Sequence, residues 1–188
     1  MKQYKIIAIF GKSGSGKDTF LNKLYDSSKY KDKLNKIVSY TTRPPREGEV
    51  EGEAYHFISS EDFLSKVMNG EMIEATNFVD WFYGTGVKCL DISKVNIGVF
   101  NPEGIRSLLE DSLFDVYPVY VDCDDWERMR RIFNRETKGD VAEVVRRYNA
   151  DETDFKFLDF YYLTAESGKE EDFKEIQNII LELLDDLP

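Results

Sequence analysis

Short apolar runs alternate along the chain with longer segments whose apolar residues have helical spacing. Residues 4–10 (YKIIAIF) are apolar and rich in isoleucine, which is typical of a buried strand. Further strands are predicted at 36–40, 95–100, 116–122 and 159–164. Helices are predicted at 19–25, 102–111, 124–134, 141–152 and 169–187. This alternation predicts an α/β fold with a mostly parallel sheet covered by helices on both faces.

Two helices carry more specific signals. Asp124 and Glu127 have the spacing of a capping box at the start of one helix. The last predicted helix places its apolar residues on one face, which indicates packing against the sheet. That face consists of Phe173, Ile176, Ile180, Leu183 and Leu187.

Two segments interrupt the alternation. Residues 43–57 (RPPREGEVEGEAYHF) are polar and rich in turn formers, and residues 128–147 are rich in arginine. Both are predicted to be insertions at one end of the sheet. In open α/β folds ligands bind at that end, so these segments are candidates for a binding site.

Length and composition allow one compact core with small inserted lobes. The chain has 188 residues, of which 41% are hydrophobic and 32% charged, so it is not of a disordered or fibrous type. The longest early apolar run, Ile6 to Phe10, is too short for a membrane span or a signal peptide. We therefore expect a cytoplasmic protein that does not bind membranes.

Cysteine and histidine are too scarce for several classes of site. Two cysteines, Cys89 and Cys123, make no disulfide framework, and His56 is the single histidine. A zinc module and catalysis by paired histidines are therefore excluded.

The charge is unevenly distributed. A net charge of −11 argues against binding to a nucleic-acid polymer. Residues 1–50 nevertheless carry a net +6 and residues 126–147 a net +3, while the remaining segments are acidic. Positive charge gathered in this way suits a small anion, although alternating solvated faces would give the same pattern.

A phosphate-binding loop connects the first strand to the first helix. GKSGSGKDT, from Gly11 to Thr19, fits G-x-x-x-x-G-K. Such a loop wraps a phosphate with backbone N–H groups at a helix N-terminus, and its lysine reaches the β- and γ-phosphates. The predicted ATP contacts are Gly11, Lys12, Ser13, Gly14, Ser15, Gly16, Lys17, Asp18 and Thr19.

Asp18 departs from the usual loop pattern, in which Ser or Thr follows the lysine and binds Mg²⁺. A carboxylate beside a triphosphate is repelled unless a cation lies between them, so Asp18 is a candidate Mg²⁺ ligand. The alternative is a favourable charge in the first turn of a helix. Thr19 could supply the missing hydroxyl.

A second motif, SYTTRPPREGEVEGEAYHF from Ser39 to Phe57, resembles the acceptor site of the guanylate kinase family. GEMIEATNFVDWFYGTG, from 70 to 86, is similar to the same lobe, and the resemblance covers nearly the whole chain. It implies a P-loop α/β core at 1–37, 90–127 and 159–188 within a single domain, 1–188. It also implies a GMP-binding lobe at 38–89 and an arginine-bearing lid at 128–158.

The resemblance assigns the GMP contacts to Ser39, Arg43, Arg46, Tyr55, Glu74, Tyr83 and Thr85. Their chemistry suits the assignment. Guanidinium groups and tyrosine hydroxyls suit a phosphate monoester. A carboxylate such as Glu74 can accept from N1–H and N2–H of guanine while Ser39 donates to O6, and adenine would leave Glu74 unpaired.

The arginines of the second basic segment resemble the family's lid residues. Arg131 is assigned to ATP, and Arg135 and Arg147 are assigned to catalysis with Lys17 and Arg46. The resemblance implies Mg²⁺-dependent transfer of the ATP γ-phosphoryl group to GMP, and also to dGMP, in purine nucleotide metabolism. A phosphate monoester is already anionic near neutral pH, so the transfer needs no general base.

One family feature is missing, which leaves alternatives open. Guanylate kinases usually carry Asp-x-Asp where this chain has Val99 and Asn101. Asp18 and YGTG at 83–86 are also similar to ribose 1,5-bisphosphate phosphokinases. Another nucleoside monophosphate kinase, and a non-catalytic domain of the same fold that binds a phosphorylated peptide, are the remaining alternatives.

Overall fold

The computed structural model describes residues 3–27, 31–46, 48–78, 80–135 and 141–185. Its strands are β1 (Tyr4–Phe10), β2 (Leu34–Lys36), β3 (Tyr40–Thr41), β4 (His56–Phe57), β5 (Met72–Phe78), β6 (Trp81–Gly86), β7 (Val95–Val99), β8 (Phe114–Asp122) and β9 (Leu163–Glu166). Its α-helices are α1 (Lys17–Ser27), α2 (Ser60–Met68), α3 (Pro102–Glu110), α4 (Asp125–Arg135), α5 (Val141–Asp154) and α6 (Glu170–Asp185).

Five parallel strands form the main sheet in the order β2-β7-β1-β8-β9. The central strand, β1, is buried from Ile6 to Phe10 because it has a neighbour on each side and helices above and below. One face packs against α1 and α6, with Leu24 and Phe173 in its core, and the other packs against α3. The predicted α/β class and the coverage of both faces are confirmed.

An aromatic cluster fills the second face beside α3. The ring of Phe10 lies 5.2 Å from Tyr120, 5.7 Å from Phe160 and 5.6 Å from Tyr162, measured between centroids. Phe155, just beyond α5, stacks on Phe10 at 6.2 Å. The segment after α5 is therefore attached to the core at the end of β1, beside the phosphate loop.

A second, smaller sheet follows the order β4-β3-β6-β5. Strands β3 and β6 pair antiparallel, as do β5 and β6, and β3 pairs parallel with β4. Helix α2 covers one side, where Phe63 stacks on Phe82 at 5.4 Å. This sheet lies within the predicted GMP-binding lobe, although the boundaries 38–89 and those of the lid stay predictions.

Two predicted strands are wrong in extent. The apolar run at 36–40 is not one strand, because the chain leaves β2 of the main sheet at Lys36 and enters β3 of the second sheet at Tyr40. The strand predicted at 159–164 begins only at Leu163. The apolar pattern before Leu163 comes from Phe160 and Tyr162, which pack in the aromatic cluster and do not pair with β8.

Only one of the two hydrogen bonds of the predicted capping box forms at the start of α4. Asp124 Oδ1 accepts from the Glu127 N–H at 3.1 Å, as a cap should. The Glu127 carboxylate turns instead to Arg130 and Arg131. In α6 the apolar face packs as predicted, with Leu187 outside the described residues. Among the described helices, none has the length and apolarity to cross a membrane.

Candidate functional site

A cavity lies between the carboxyl ends of the main-sheet strands and the second sheet. From the phosphate loop and the start of α1 it is lined by Gly11, Ser13, Gly14, Gly16, Lys17, Asp18 and Thr19. From the second sheet and its loops it is lined by Ser39, Arg46, Tyr55, Glu74, Thr76, Phe78, Tyr83 and Gly84. The fold therefore brings together two motifs that the sequence separates by about twenty residues or more.

The phosphate loop takes its shape from glycine and from its neighbours. Gly14 has a φ of +78°, and a Cβ there would lie 2.4 Å from the Arg128 carbonyl oxygen, so only glycine fits. Lys17 begins α1, whose N-terminus faces the cavity. Backbone N–H groups at a helix start, beside a lysine, are suited to a phosphate chain.

Asp18 and Thr19 are exposed in the first turn of α1 and both line the cavity. This placement is compatible with both predicted roles of Asp18, which stay predictions, since the carboxylate is at a helix N-terminus and beside the phosphate loop. The other two predicted loop contacts lie off this cavity. Lys12 pairs with Glu152, and the Ser15 hydroxyl is buried with no hydrogen-bond partner among the described residues.

Glu74, on β5, is the buried acid of the cavity. Burial raises the pKa of its carboxyl to about 7, against the hydrogen bonds from the Thr85 side chain and backbone, which lower it. Thr85 in turn shares a 3.0 Å hydrogen bond with the Ser39 hydroxyl. A Cβ on Gly104 would lie 2.9 Å from Glu74 Oε2, so α3 is in close contact with the carboxylate.

Asn101 occupies the second position of the missing Asp pair, and its side chain has a defined structural task. Its Oδ1 accepts from the Gly104 N–H at 2.8 Å and caps α3, while its Nδ2 donates to Thr76 Oγ1 at 2.5 Å. Asn101 and Val99 both line the cavity. Asn101 therefore caps α3 without placing a negative charge beside Glu74.

Arg46, Tyr55 and Tyr83 face the cavity together. The two tyrosine rings lie 5.9 Å apart, edge to face. Burial raises the pKa of Tyr55 far above its usual value, and the nearby Asp18 carboxylate adds to the effect. The Tyr55 hydroxyl therefore stays protonated and can donate a hydrogen bond to an anion.

Arg43 is buried behind Arg46, Tyr55 and Tyr83 and does not line the cavity. Its guanidinium is 4% exposed and donates to Glu49 Oε1 at 2.9 Å, while the Arg46 N–H donates to Glu49 Oε2 at 2.8 Å. Burial alone would raise the pKa of Glu49, but its hydrogen bonds to both arginines lower it overall. Arg43 and Thr85 are thus placed next to the cavity-lining residues, and their direct contact with a ligand stays a prediction.

The predicted lid residues lie on α4 and α5. Arg147 lines the cavity, and its Nε donates to Glu143 Oε1 at 2.7 Å. Arg131 Nη1 donates to the carbonyl oxygens of Gly14 and Ser15 at 3.3 Å each, in a separate cavity on the outer side of the loop. The side chain of Arg135 is outside the described residues.

A buried ion pair next to the loop was not predicted from the sequence. Asp151 of α5 accepts from the Ser13 N–H, and Arg128 of α4 donates to Asp151 at 2.9 Å. The available signal was helical spacing. Arg128 lies four residues before the buried Ile132, and Asp151 lies seven residues after the buried Val144, so both fall on apolar helix faces.

The residues present fit a magnesium ion that is held mainly by its nucleotide. The described residues contain no group of three or more His, Cys, Asp or Glu side chains placed to hold a metal. Mg²⁺ typically needs one or two carboxylates together with substrate phosphates. Asp18, with the Thr19 hydroxyl beside it, offers oxygen donors at the phosphate loop of this cavity.

Comparisons with known proteins agree on one family. A family model described as guanylate kinase matches residues 3–183. The chain is 30% identical over 183 residues to a guanylate kinase of Campylobacter jejuni, covering 94% of this chain and 87% of that relative. It is 40% identical over 154 residues to one of Lactiplantibacillus plantarum, covering 78% and 71%. A crystal structure of guanylate kinase from Anaplasma phagocytophilum superposes with a TM-score of 0.72 at 25% identity, covering 98% of this chain and 88% of that one.

Proposed function

Because the chain belongs to the guanylate kinase family, we propose that it transfers the γ-phosphoryl group of ATP to GMP, giving ADP and GDP. The observation that carries the proposal is the shared cavity, in which the phosphate loop faces Glu74 of the second sheet. One end of this cavity is suited to a polyphosphate and the other to a base with two adjacent N–H donors.

ATP is bound by the phosphate loop. Lys17 and the backbone N–H groups at the start of α1 neutralise and orient its phosphates. Arg131, in the separate outer cavity beside Gly14 and Ser15, is assigned to ATP by resemblance. Mg²⁺ accompanies ATP and would be held by its phosphates and by Asp18, where it supplies positive charge to the transferring group.

The site recognises both the base and the phosphate of GMP. The Glu74 carboxylate accepts from N1–H and N2–H of guanine, and Ser39, positioned by Thr85, donates to O6. Arg46, Tyr55 and Tyr83 bind the GMP phosphate, and Glu49 orders Arg46 through its backbone N–H. The same contacts accept dGMP, since none of them uses the 2′-hydroxyl.

Transfer depends on position and charge neutralisation. The GMP phosphate is the nucleophile and carries its own negative charge, so no side chain has to remove a proton. Lys17, Arg46 and Arg147 all line the cavity and stabilise charge on the transferring phosphoryl group and the leaving ADP. Arg135 is assigned to the same task by resemblance alone.

The lid and the GMP-binding lobe are joined in this conformation. Arg146 of α5 donates to Asp80 in the turn between β5 and β6, and to Glu143 on its own helix. Closure of the two lobes on the core would exclude water and limit hydrolysis of ATP. We assign the lobe to 38–89 and the lid to 128–158 by their resemblance to the family.

Two other functions are distinguished by specific residues. A ribose 1,5-bisphosphate phosphokinase has no base to read, which would leave the buried Glu74 without a ligand partner. A non-catalytic domain would not need Lys17 at the end of a complete phosphate loop facing the acceptor site. Small nucleotides in the cytoplasm are the partners that this site implies, and neither a nucleic-acid polymer nor a membrane is among them.

Coupled ADP release tests the function directly. Assays would compare GMP, dGMP, AMP, UMP, dTMP and ribose 1,5-bisphosphate as acceptors, with ATP and Mg²⁺ constant and an acceptor-free control. We expect ADP release with GMP and dGMP only. Activity confined to the sugar bisphosphate would overturn the reading of the base, and GMP binding without turnover would favour the non-catalytic domain.

A further inference from the structure

Asp151 takes both polar donors of one residue in the phosphate loop. The Ser13 N–H lies 3.1 Å from Asp151 Oδ1 and 3.0 Å from Oδ2, and the Ser13 hydroxyl donates to Oδ1 at 3.1 Å. Ser13 is 128 residues or more before α5 in the chain, so this contact joins the loop to a helix of the lid. The loop conformation at Ser13 is therefore determined in part by Asp151.

Arg128 holds Asp151 in place. Its Nη1 donates to Asp151 Oδ2 at 2.9 Å, and the two side chains are 1% and 2% exposed. Its Nε donates to Asp125 Oδ1 at 2.6 Å, and its guanidinium lies 5.0 Å from the centroid of the Tyr148 ring. A buried ion pair adds little net stability because both charges lose water, so stability alone is a weak account of this pair.

Neighbouring loop residues contact the same two helices. Gly14 approaches the Arg128 carbonyl so closely that a Cβ would lie 2.4 Å away. Lys12 forms an ion pair with Glu152, the residue after Asp151. Three consecutive loop residues thus rest on α4 or α5, and the two charged helices form one surface that shapes the loop.

We propose that Asp151, held by Arg128, is a positioning residue for phosphoryl transfer. Asp151 fixes Ser13 and so keeps the loop in its phosphate-binding conformation. The inference rests on the proposed function in that the loop binds the phosphates of ATP and ADP. Asp151 acts through its hydrogen bonds to Ser13. A carboxylate can lie beside a polyphosphate site here because the Arg128 guanidinium compensates its negative charge.

Two double variants separate the effect of the hydrogen bond to Ser13 from the effects of net charge and side-chain packing. Arg128→Met/Asp151→Asn keeps an acceptor for the Ser13 N–H, and Arg128→Met/Asp151→Leu removes it with a side chain of similar shape. Both remove one positive and one negative charge, so both have the net charge of the wild type. The dissociation constants of ADP and of GMP would be measured by calorimetry, beside the midpoint of urea unfolding.

We expect the asparagine variant to bind ADP within about 3-fold of the wild type and the leucine variant to bind it about 10-fold more weakly. GMP affinity should stay within about 2-fold in both, because its proposed contacts lie on the second sheet and its loops. If the leucine variant does not fold, Arg128→Met/Asp151→Ala removes the acceptor without adding bulk.

Equal ADP affinity in the two variants would overturn the inference, as would a parallel loss of ADP and GMP affinity. The outcome is separable from that of the proposed function. A wild-type chain that binds ADP but transfers nothing to GMP would contradict the function and leave the ADP comparison valid. A wild-type chain with no affinity for ADP would overturn both.

Discussion

Replacing Glu74 by glutamine removes a titration that the fold places near neutral pH. Burial raises the pKa of this carboxyl from 4.5 to about 7. Between those two values the folded chain holds a proton that the unfolded chain has released, so stability falls as the pH rises. Above pH 7 both states are ionised and the loss is complete.

The size of the effect follows from the pKa difference. At about 1.4 kcal/mol per pKa unit, the free energy of unfolding of the wild type should fall by about 3 kcal/mol relative to Glu74→Gln between pH 4.5 and 8. Urea unfolding of both proteins at several pH values measures this difference, and the remaining titratable groups cancel in the comparison.

GMP affinity should depend on pH in the opposite direction. The ionised carboxylate accepts from N1–H and N2–H, so the titration of Glu74 alone should make GMP bind about 25-fold more tightly at pH 7.5 than at 5.5. The GMP phosphate also titrates near pH 6, and the Glu74→Gln profile, which contains only that titration, is the control. Parallel profiles for the two proteins would refute the role of Glu74, as would equal losses of GMP and ATP affinity in the variant.

Three further changes test other residues of the site. Lys17→Met should lower kcat at least about 100-fold and leave the dissociation constant of GMP unchanged, and a comparable loss of GMP binding would indicate structural damage. Asp18→Ala should raise the Mg²⁺ concentration for half-maximal rate several-fold, and Asp18→Ser should reverse part of that increase. The wild-type Mg²⁺ dependence in both variants would restrict Asp18 to stabilising the start of α1. Asn101→Asp places a carboxylate within about 6 Å of Glu74 and should shift the pH midpoint of GMP binding upward by about one to two units, and an unshifted midpoint would contradict the placement.

The central strands of the main sheet, β1, β7 and β8, were predictable because each is marked by a local pattern. Ile6 to Phe10 are apolar without a break, as a strand buried on both faces requires, and the phosphate loop follows directly. The run at 36–40 was misassigned because periodicity shows that residues are extended but not which sheet they join. Lys36 and Tyr40 pair with different sheets, and only tertiary contacts separate them.

The cavity was predictable where its residues form motifs, and not where they act through distant partners. Ser39 and Glu74 belong to recognisable segments of sequence, and both line the cavity with Lys17. Arg128 and Asp151 are 23 residues apart, and although helical spacing places each on an apolar helix face, a charged residue is ordinarily expected to be solvated. Their pairing depends on how α4 and α5 pack around the loop, which no local pattern encodes.

Transfer of label from ATP to GMP tests the central claim most directly. ATP labelled at the γ-phosphate would be incubated with the chain, GMP and Mg²⁺, and the products would be separated by chromatography, with a reaction lacking GMP as the control. The account predicts label in the β-phosphate of GDP, and little free labelled phosphate. Label appearing only as inorganic phosphate, or no transfer to GMP by a chain that binds both nucleotides, would contradict it.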